Sequence, residues 1–143
     1  MTPQQLSDRL EIQDTLVRYC HAVDRRDWPA FEAVFTDDAL LDFTAFGGPR
    51  GNRSEMARYL ESVIATMQGT QHTISTSLVE LAGDTATART AAQVMMISAT
   101  EGCGSHVLFV GLWYRDRLRR TAQGWRIFER VQEFGWVHNA PPA

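Results

Sequence analysis

The sequence predicts an α+β fold, in which three N-terminal helices pack on a strongly curved, mainly antiparallel sheet. Apolar residues recur at helical spacing in the first half of the chain, whereas from Thr70 onward they alternate with a period of two. The strand candidates follow one another without intervening helices, so we expect antiparallel pairing and helices gathered on one face of the sheet. Long strands beside few helices indicate strong curvature, and a curved sheet encloses a pocket.

The first helix is predicted from Asp8 to about Arg26, with Ser7 as its N-cap. At 100° per residue, one broad face of this helix is apolar and is formed by Ile12, Leu16, Tyr19, Cys20 and Val23. Asp24 follows Cys20 by four residues and therefore shares that inner stripe, where a carboxylate needs a partner.

The remaining elements are marked by caps and turns. Asp27 is the expected N-cap of a second helix that opens with Trp28 and Pro29, and Ser54 is the expected N-cap of a third helix over 55–67. A short strand lies between these helices. Four strand candidates then cover 70–83, 85–100, 105–120 and 124–136.

Length and charge favour a single domain over 1–143 that binds neither nucleic acid nor membrane. The chain has 143 residues, 44% of them hydrophobic, and its net charge is −3. All 14 basic residues are arginine, which excludes Schiff-base chemistry and a lysine base. No segment approaches the roughly 20 apolar residues of a membrane span. The first residues are polar and lack the apolar region of a signal peptide, so we expect a cytoplasmic location. Cys20 and Cys103 lack metal-type spacing and are expected to be free thiols, and the histidines and carboxylates show no ligand spacing, so we expect no metal.

Three side chains are candidates for chemistry. His72 lies on the strand side predicted to carry Ile74, Thr76 and Leu78. Paired with Asp24, its imidazole would have a fixed tautomer and a higher basicity, as a general base requires. The alternatives are that Asp24 caps its helix or pairs with a nearby arginine, and that His72 is a satisfied core residue. Tyr19 is either a core aromatic or a hydrogen-bond donor to a substrate oxygen.

The order of three phrases resembles the SnoaL-like branch of the nuclear-transport-factor-2-like superfamily over roughly Ser7 to Val137. The phrases are "IQDTLVRYCHAVDRRDWPAFEAVFTDDALLDF", "QHTISTSLVEL" and "GLWYRDRLRRTAQGWRIFERV". The resemblance implies a cone-shaped α+β barrel around an elongated apolar pocket. It also implies a dyad of Asp24 and His72, as in the dehydratase and dehydrochlorinase group, and it matches Tyr19 to a tyrosine of the bile-acid dehydratase.

The resemblance therefore implies a cofactor-independent acid–base enzyme, most simply a dehydratase or other lyase, acting on a small hydrophobic substrate of polycyclic or polyketide-like type. The alternatives are a polyketide cyclase or isomerase with the same pocket, and a non-catalytic binding or assembly module. The side chains expected to bind the substrate are Trp28, Phe43, Phe46, Met95, Phe109 and Trp113. We also expect a homodimer or homotrimer that pairs through the outer face of the sheet.

Overall fold

The elements follow the predicted order. A computed structural model describes residues 1–102 and 104–140, so Cys103 lies outside the described residues. The helices are α1 (Pro3–Asp24), α2 (Trp28–Ala33) and α3 (Arg53–Ile64), and a short 3₁₀ turn covers Thr44–Phe46. The strands are β1 (Phe35–Asp42), β2 (Arg50–Gly51), β3 (Gly69–Ala82), β4 (Thr85–Ala99), β5 (Ser105–Thr121) and β6 (Gly124–His138).

The strands form one six-stranded sheet in the order β2-β1-β6-β5-β4-β3. Strands β3 to β6 make an antiparallel meander, and β1 pairs in parallel with β6, so the sheet is mixed. The prediction of three helices on a curved, mainly antiparallel sheet is confirmed. The sheet does not close into a barrel, because β2 and β3 remain as its two edges.

Capping chemistry sets the helix starts differently from the prediction in two cases. Helix α1 begins at Pro3 because Thr2 and Gln5 form a capping box, so Ser7 lies inside the helix. Helix α3 is capped by Asn52 rather than Ser54, through a second capping box with Glu55. The prediction for α2 is confirmed, since the Asp27 carboxylate accepts a hydrogen bond from the backbone N–H of Ala30.

The core lies between α1 and the inner face of the sheet. The predicted apolar face of α1 is buried, and its central side chains Ile12, Leu16, Tyr19 and Val23 are at most 1% exposed. Among the helices of the described residues, none is both long and apolar enough to cross a membrane.

A bulge in β3 changes which side chains face the core. The pairing of β3 with β4 shifts register between Ile74 and Ser77, so the face that points inward changes parity there. Val79 and Leu81 consequently pack against the core, whereas Leu78 is 66% exposed. The prediction that Leu78 shares the side of His72 is therefore wrong, because the strand is not regular between the two residues.

Asp8 connects the start of α1 to the hairpin of β5 and β6 through side-chain hydrogen bonds. Its side chain is 5% exposed and accepts two hydrogen bonds from Arg120, at 2.7 and 3.0 Å. Trp125 Nε1 and Gln4 Nε2 donate to the same carboxylate at 3.1 and 2.9 Å. The hydrogen bonds from Arg120 hold the pKa of Asp8 well below its usual range.

We expect Asp8→Asn to lower the melting temperature at pH 7, and the difference from the wild type to shrink below about pH 4. The sign follows from the lowered folded-state pKa of Asp8. As the pH falls, the unfolded wild-type chain binds a proton at this carboxylate before the folded chain does, so the wild type loses free energy of unfolding.

Thermal unfolding followed by circular dichroism at pH 7 and pH 3 measures this effect. Asp14→Asn is the matched control, because Asp14 lies on the exposed face of the same helix. An Asp8→Asn difference that stays constant between the two pH values would contradict the assignment.

Candidate active site

The site begins with Asp24, the last residue of α1, whose carboxylate binds strand β3. The Nδ1 of His72 lies 2.6 Å from Asp24 Oδ1, and the backbone N–H of His72 donates to Oδ2 at 2.8 Å. Thr70 Oγ1 donates to Oδ1 at 2.9 Å. The predicted contact between Asp24 and His72 is therefore present. In the described part of the chain, Asp24 forms no ion pair with Arg25 or Arg26.

The charge of Asp24 determines the tautomer of His72. Burial raises the pKa of Asp24, but the hydrogen bonds from His72 and Thr70 outweigh burial and bring it below its usual value. The carboxylate is therefore ionised at neutral pH and can only accept hydrogen bonds. The proton of the contact consequently belongs to His72 Nδ1, and in the neutral imidazole the lone pair is on Nε2.

His72 lines an apolar cavity of about 280 Å³ enclosed by α1, α3 and strands β3 to β6. The sheet side of the wall is formed by Val94, Met96, Leu108, Val110 and Leu112. The cavity reaches the surface beside Val137, which lines it and is 41% exposed. A groove of larger volume, about 450 Å³, lies between α1 and α2, but it is lined by exposed arginines and does not contain the dyad. The cavity at His72 is therefore the candidate active site.

Two of the six predicted substrate-binding side chains, Phe43 and Phe46, line this cavity. Trp28 does not, because it packs against Phe31 with ring centroids 5.9 Å apart.

The other three, Met95, Phe109 and Trp113, lie on the opposite face of the sheet. Successive side chains on a strand point to opposite faces, and both sequence neighbours of Met95 and of Phe109 line the cavity. Trp113 is covered on its own face by the guanidinium of Arg89, 4.6 Å from the ring centroid. The prediction that these three side chains form the pocket wall is corrected accordingly.

Tyr19 lies beside the dyad, on the same cavity wall. Its ring centroid is 6.1 Å from that of His72 and 5.5 Å from that of Tyr114, and the residue is 1% exposed. Burial raises the pKa of Tyr19 to about 12, so its hydroxyl keeps its proton at neutral pH.

A buried ion pair that the sequence pattern did not predict lies behind the tyrosines. Arg130 binds Asp116 through two hydrogen bonds, at 2.7 and 2.8 Å, and both side chains are at most 1% exposed. The guanidinium carbon of Arg130 lies 4.2 Å from the ring centroid of Tyr19 and 4.0 Å from that of Tyr114. Among the described residues, Arg130 Nη1 has no hydrogen-bond partner. The same residues contain no cluster of three or more His, Cys, Asp or Glu that could hold a metal ion.

We expect Arg130→Met to lower the free energy of unfolding by about 3–5 kcal/mol, because the substitution leaves the Asp116 carboxylate buried without a partner. The double variant Asp116→Asn with Arg130→Met should recover part of that loss. Urea unfolding at neutral pH measures both.

Arg117→Met is the control for Arg130→Met, since Arg117 forms a solvent-exposed ion pair with Glu129 at 3.9 Å and should cost about 1 kcal/mol or less. Equal losses for the two arginine variants would show that burial of the pair contributes nothing.

Comparisons with known proteins identify the family. The profile of the SnoaL-like domain matches residues 4–131. The uncharacterized protein Rv2910c of Mycobacterium tuberculosis is 40% identical over 128 residues, which cover 90% of this chain and 86% of that protein.

Two solved structures from Novosphingobium aromaticivorans have similar folds. A candidate aromatic ring hydroxylase is 28% identical, with a TM-score of 0.84 over 98% of this chain and 96% of that chain. A candidate scytalone dehydratase is 17% identical, with a TM-score of 0.84 over 100% of this chain and 94% of that chain, and this likeness concerns the fold alone.

Proposed function

This chain belongs to the SnoaL-like domain family, and from that membership and the geometry of the cavity we propose that it is a cofactor-independent acid–base enzyme. The reaction proposed is elimination of water from a small hydrophobic substrate of polycyclic or polyketide-like type. One observation supports the proposal most. His72 Nδ1 lies 2.6 Å from an ionised Asp24 while the imidazole lines an apolar cavity.

His72 is proposed as the general base. Its Nε2 would remove a proton from a carbon next to a carbonyl group, and the imidazole would become a cation. Asp24 would stabilise that cation and hold the ring in position through the existing Nδ1 contact. The surrounding apolar wall strengthens this attraction, because little water competes for the charges.

Tyr19 is proposed as the donor to the substrate carbonyl. Its protonated hydroxyl can stabilise the enolate oxygen, on which negative charge develops. The Arg130 cation beside the ring acts against burial on the pKa of Tyr19 and so makes the hydroxyl a stronger donor.

The Nε2–H of His72 would then protonate the leaving hydroxyl group. A C–H bond and a C–O bond break, a C=C bond forms, and one water molecule leaves.

We expect His72→Ala to reduce proton abstraction by a factor of about 10²–10⁴ without loss of folding. The assay monitors, by NMR in D₂O, the exchange of the C1 protons of 2-tetralone for deuterium. This exchange requires only proton abstraction from carbon, which is the first step of the proposed reaction. Asp24→Asn should also be severe, and the double variant should be far from additive, since the two residues act as a unit.

His21→Ala is the control, because His21 is exposed on the helix that carries Asp24. Exchange by His72→Ala at the wild-type rate would refute a general base at this position. Formation of 1-naphthol from 3-hydroxy-1-tetralone then tests elimination, because loss of water from that hydroxyketone gives the naphthol.

The outer face of the sheet supports the proposal of a homodimer or homotrimer. Leu78 is 66% exposed there, and Trp136 is 43% exposed where it lies over Gly111. Burying such side chains against a second copy would remove apolar surface from water.

Light scattering at micromolar concentration should give two or three times the 16.1 kDa mass of the chain. Leu78→Asp combined with Trp136→Arg should shift the mass to that of one chain, because charges would then enter the interface. Leu10→Asp should not, since Leu10 is 62% exposed on α1. A wild-type mass near that of one chain would contradict the proposal.

A further inference from the structure

Gln132 places an amide group on the cavity wall. The residue lies on β6 opposite Tyr114 of β5, and opposed residues of antiparallel strands point to the same face. Both side chains line the cavity. Within the described part of the chain, the Gln132 side chain makes no hydrogen bond, whereas Thr70 and His72 on the same cavity wall are bound to Asp24. Its amide therefore has two N–H donors and a carbonyl acceptor free for a ligand.

Gln132 and the dyad lie on different strands of the curved wall. His72 belongs to β3 and Gln132 to β6, with β4 and β5 between them. Strands in a sheet lie about 4.8 Å apart, so three such spacings separate the two residues along the sheet. Residues of both strands nevertheless line the same cavity. The wall between them is mainly apolar, with Val94, Val110 and Leu112, and also includes Tyr114 of β5.

This arrangement restricts what can contact both polar groups at once. A molecule that reaches from the Nε2 of His72 to the amide of Gln132 must be apolar where it contacts Val94, Val110 and Leu112. It must also carry a polar atom at each end. The other polar side chains of the lining besides Thr70 are Tyr19, Tyr59 and Tyr114. A cavity of about 280 Å³ has room for a fused two-ring or three-ring system of the proposed polycyclic class.

We propose that Gln132 is a specificity-determining residue that binds a second oxygen of the substrate, at the end remote from the dyad. The substrate class is then a fused-ring compound with oxygen functions at opposite ends. The amide donates to a carbonyl oxygen or accepts from a hydroxyl group at that end. This inference rests on the proposed function for the first oxygen, and it adds the second.

The experiment compares 2,6-dihydroxynaphthalene with 6-methyl-2-naphthol by isothermal titration calorimetry. The two probes have nearly the same shape, and only the first has an oxygen at each end. Its symmetry means that either hydroxyl can face the dyad. Gln132→Met should weaken binding of the diol by about three- to tenfold, the value of one neutral hydrogen bond. Binding of the methyl probe should stay the same or become tighter.

Gln93→Met is the matched control, because Gln93 is an exposed glutamine on the outer face of β4. It should change neither affinity. A Gln132→Met variant that leaves the ratio of the two affinities unchanged would overturn the inference. If that variant does not fold, the wild type alone decides. Tighter binding of the diol than of 2-naphthol supports the inference, and equal or weaker binding overturns it.

Calorimetry measures binding of the probes and not turnover, so the test of Gln132 is independent of the exchange assay that tests Asp24 and His72. In the His72→Ala background, the diol should still lose affinity relative to the methyl probe when Gln132 is replaced. If the exchange assay showed no activity of the dyad, the calorimetric result for Gln132 would still hold. If Gln132→Met had no effect on binding, the proposal of proton transfer by His72 would be unaffected.

Discussion

The position of the proposed base depends on the Asp24 carboxylate. Strand β3 is an edge of the sheet and has a strand neighbour on one side only, β4. At His72 the missing partner on the free side is supplied by α1, because the backbone N–H of His72 donates to Asp24. The same carboxylate holds the imidazole and the Thr70 hydroxyl. The Asp24 side chain therefore accepts the backbone hydrogen bond of His72 at the strand edge, orients the imidazole ring and sets its tautomer.

Arg130 meets a different physical requirement, because it is a cation buried behind the cavity wall. A buried cation needs a counter-charge and further favourable contacts to offset its loss of hydration. Asp116 supplies the counter-charge, and the faces of Tyr19 and Tyr114 supply the contacts. The tyrosine rings line the cavity while the guanidinium lies against them, so the wall remains mainly apolar.

The sequence predicts the helical face well because a helix buries one continuous stripe, and every residue of the apolar face of α1 is buried as expected. It predicts strand faces poorly where both faces are apolar. The run "QVMMIS" in β4 has no alternation that distinguishes Met95 from Met96. Bulges then change the parity, as they do before Ser77. Such irregularities depend on how neighbouring strands pair, and the pattern of residues along one strand does not give that pairing.

The buried ion pair of Asp116 and Arg130 also could not be predicted from the pattern along single strands. In the sequence, Asp116 and Arg130 stand within "YRDRLRR" and "FERVQEF", where charged residues are the rule and solvent exposure is the ordinary interpretation. Only the register that sets Asp116 opposite Arg130, on the inner face, makes them partners. This buried ion pair was thus the least predictable part of the site, whereas Asp24 was predictable because the phase of the helix places it on the inner face.

The proposed chemistry also explains why the residues favour several reactions at once. A single nitrogen, Nε2 of His72, would both take the first proton and deliver it to the leaving oxygen, since Nδ1 is bound to Asp24. Elimination, isomerisation and ring closure all begin with the removal of a proton next to a carbonyl, and they differ in which atom receives a proton or forms a bond next. In the proposed mechanism, that difference would be set by the position of the substrate relative to Nε2 of His72. Under the proposed mechanism, the choice of reaction would therefore depend on the groups that position the substrate at the far end of the cavity, and not on the dyad itself.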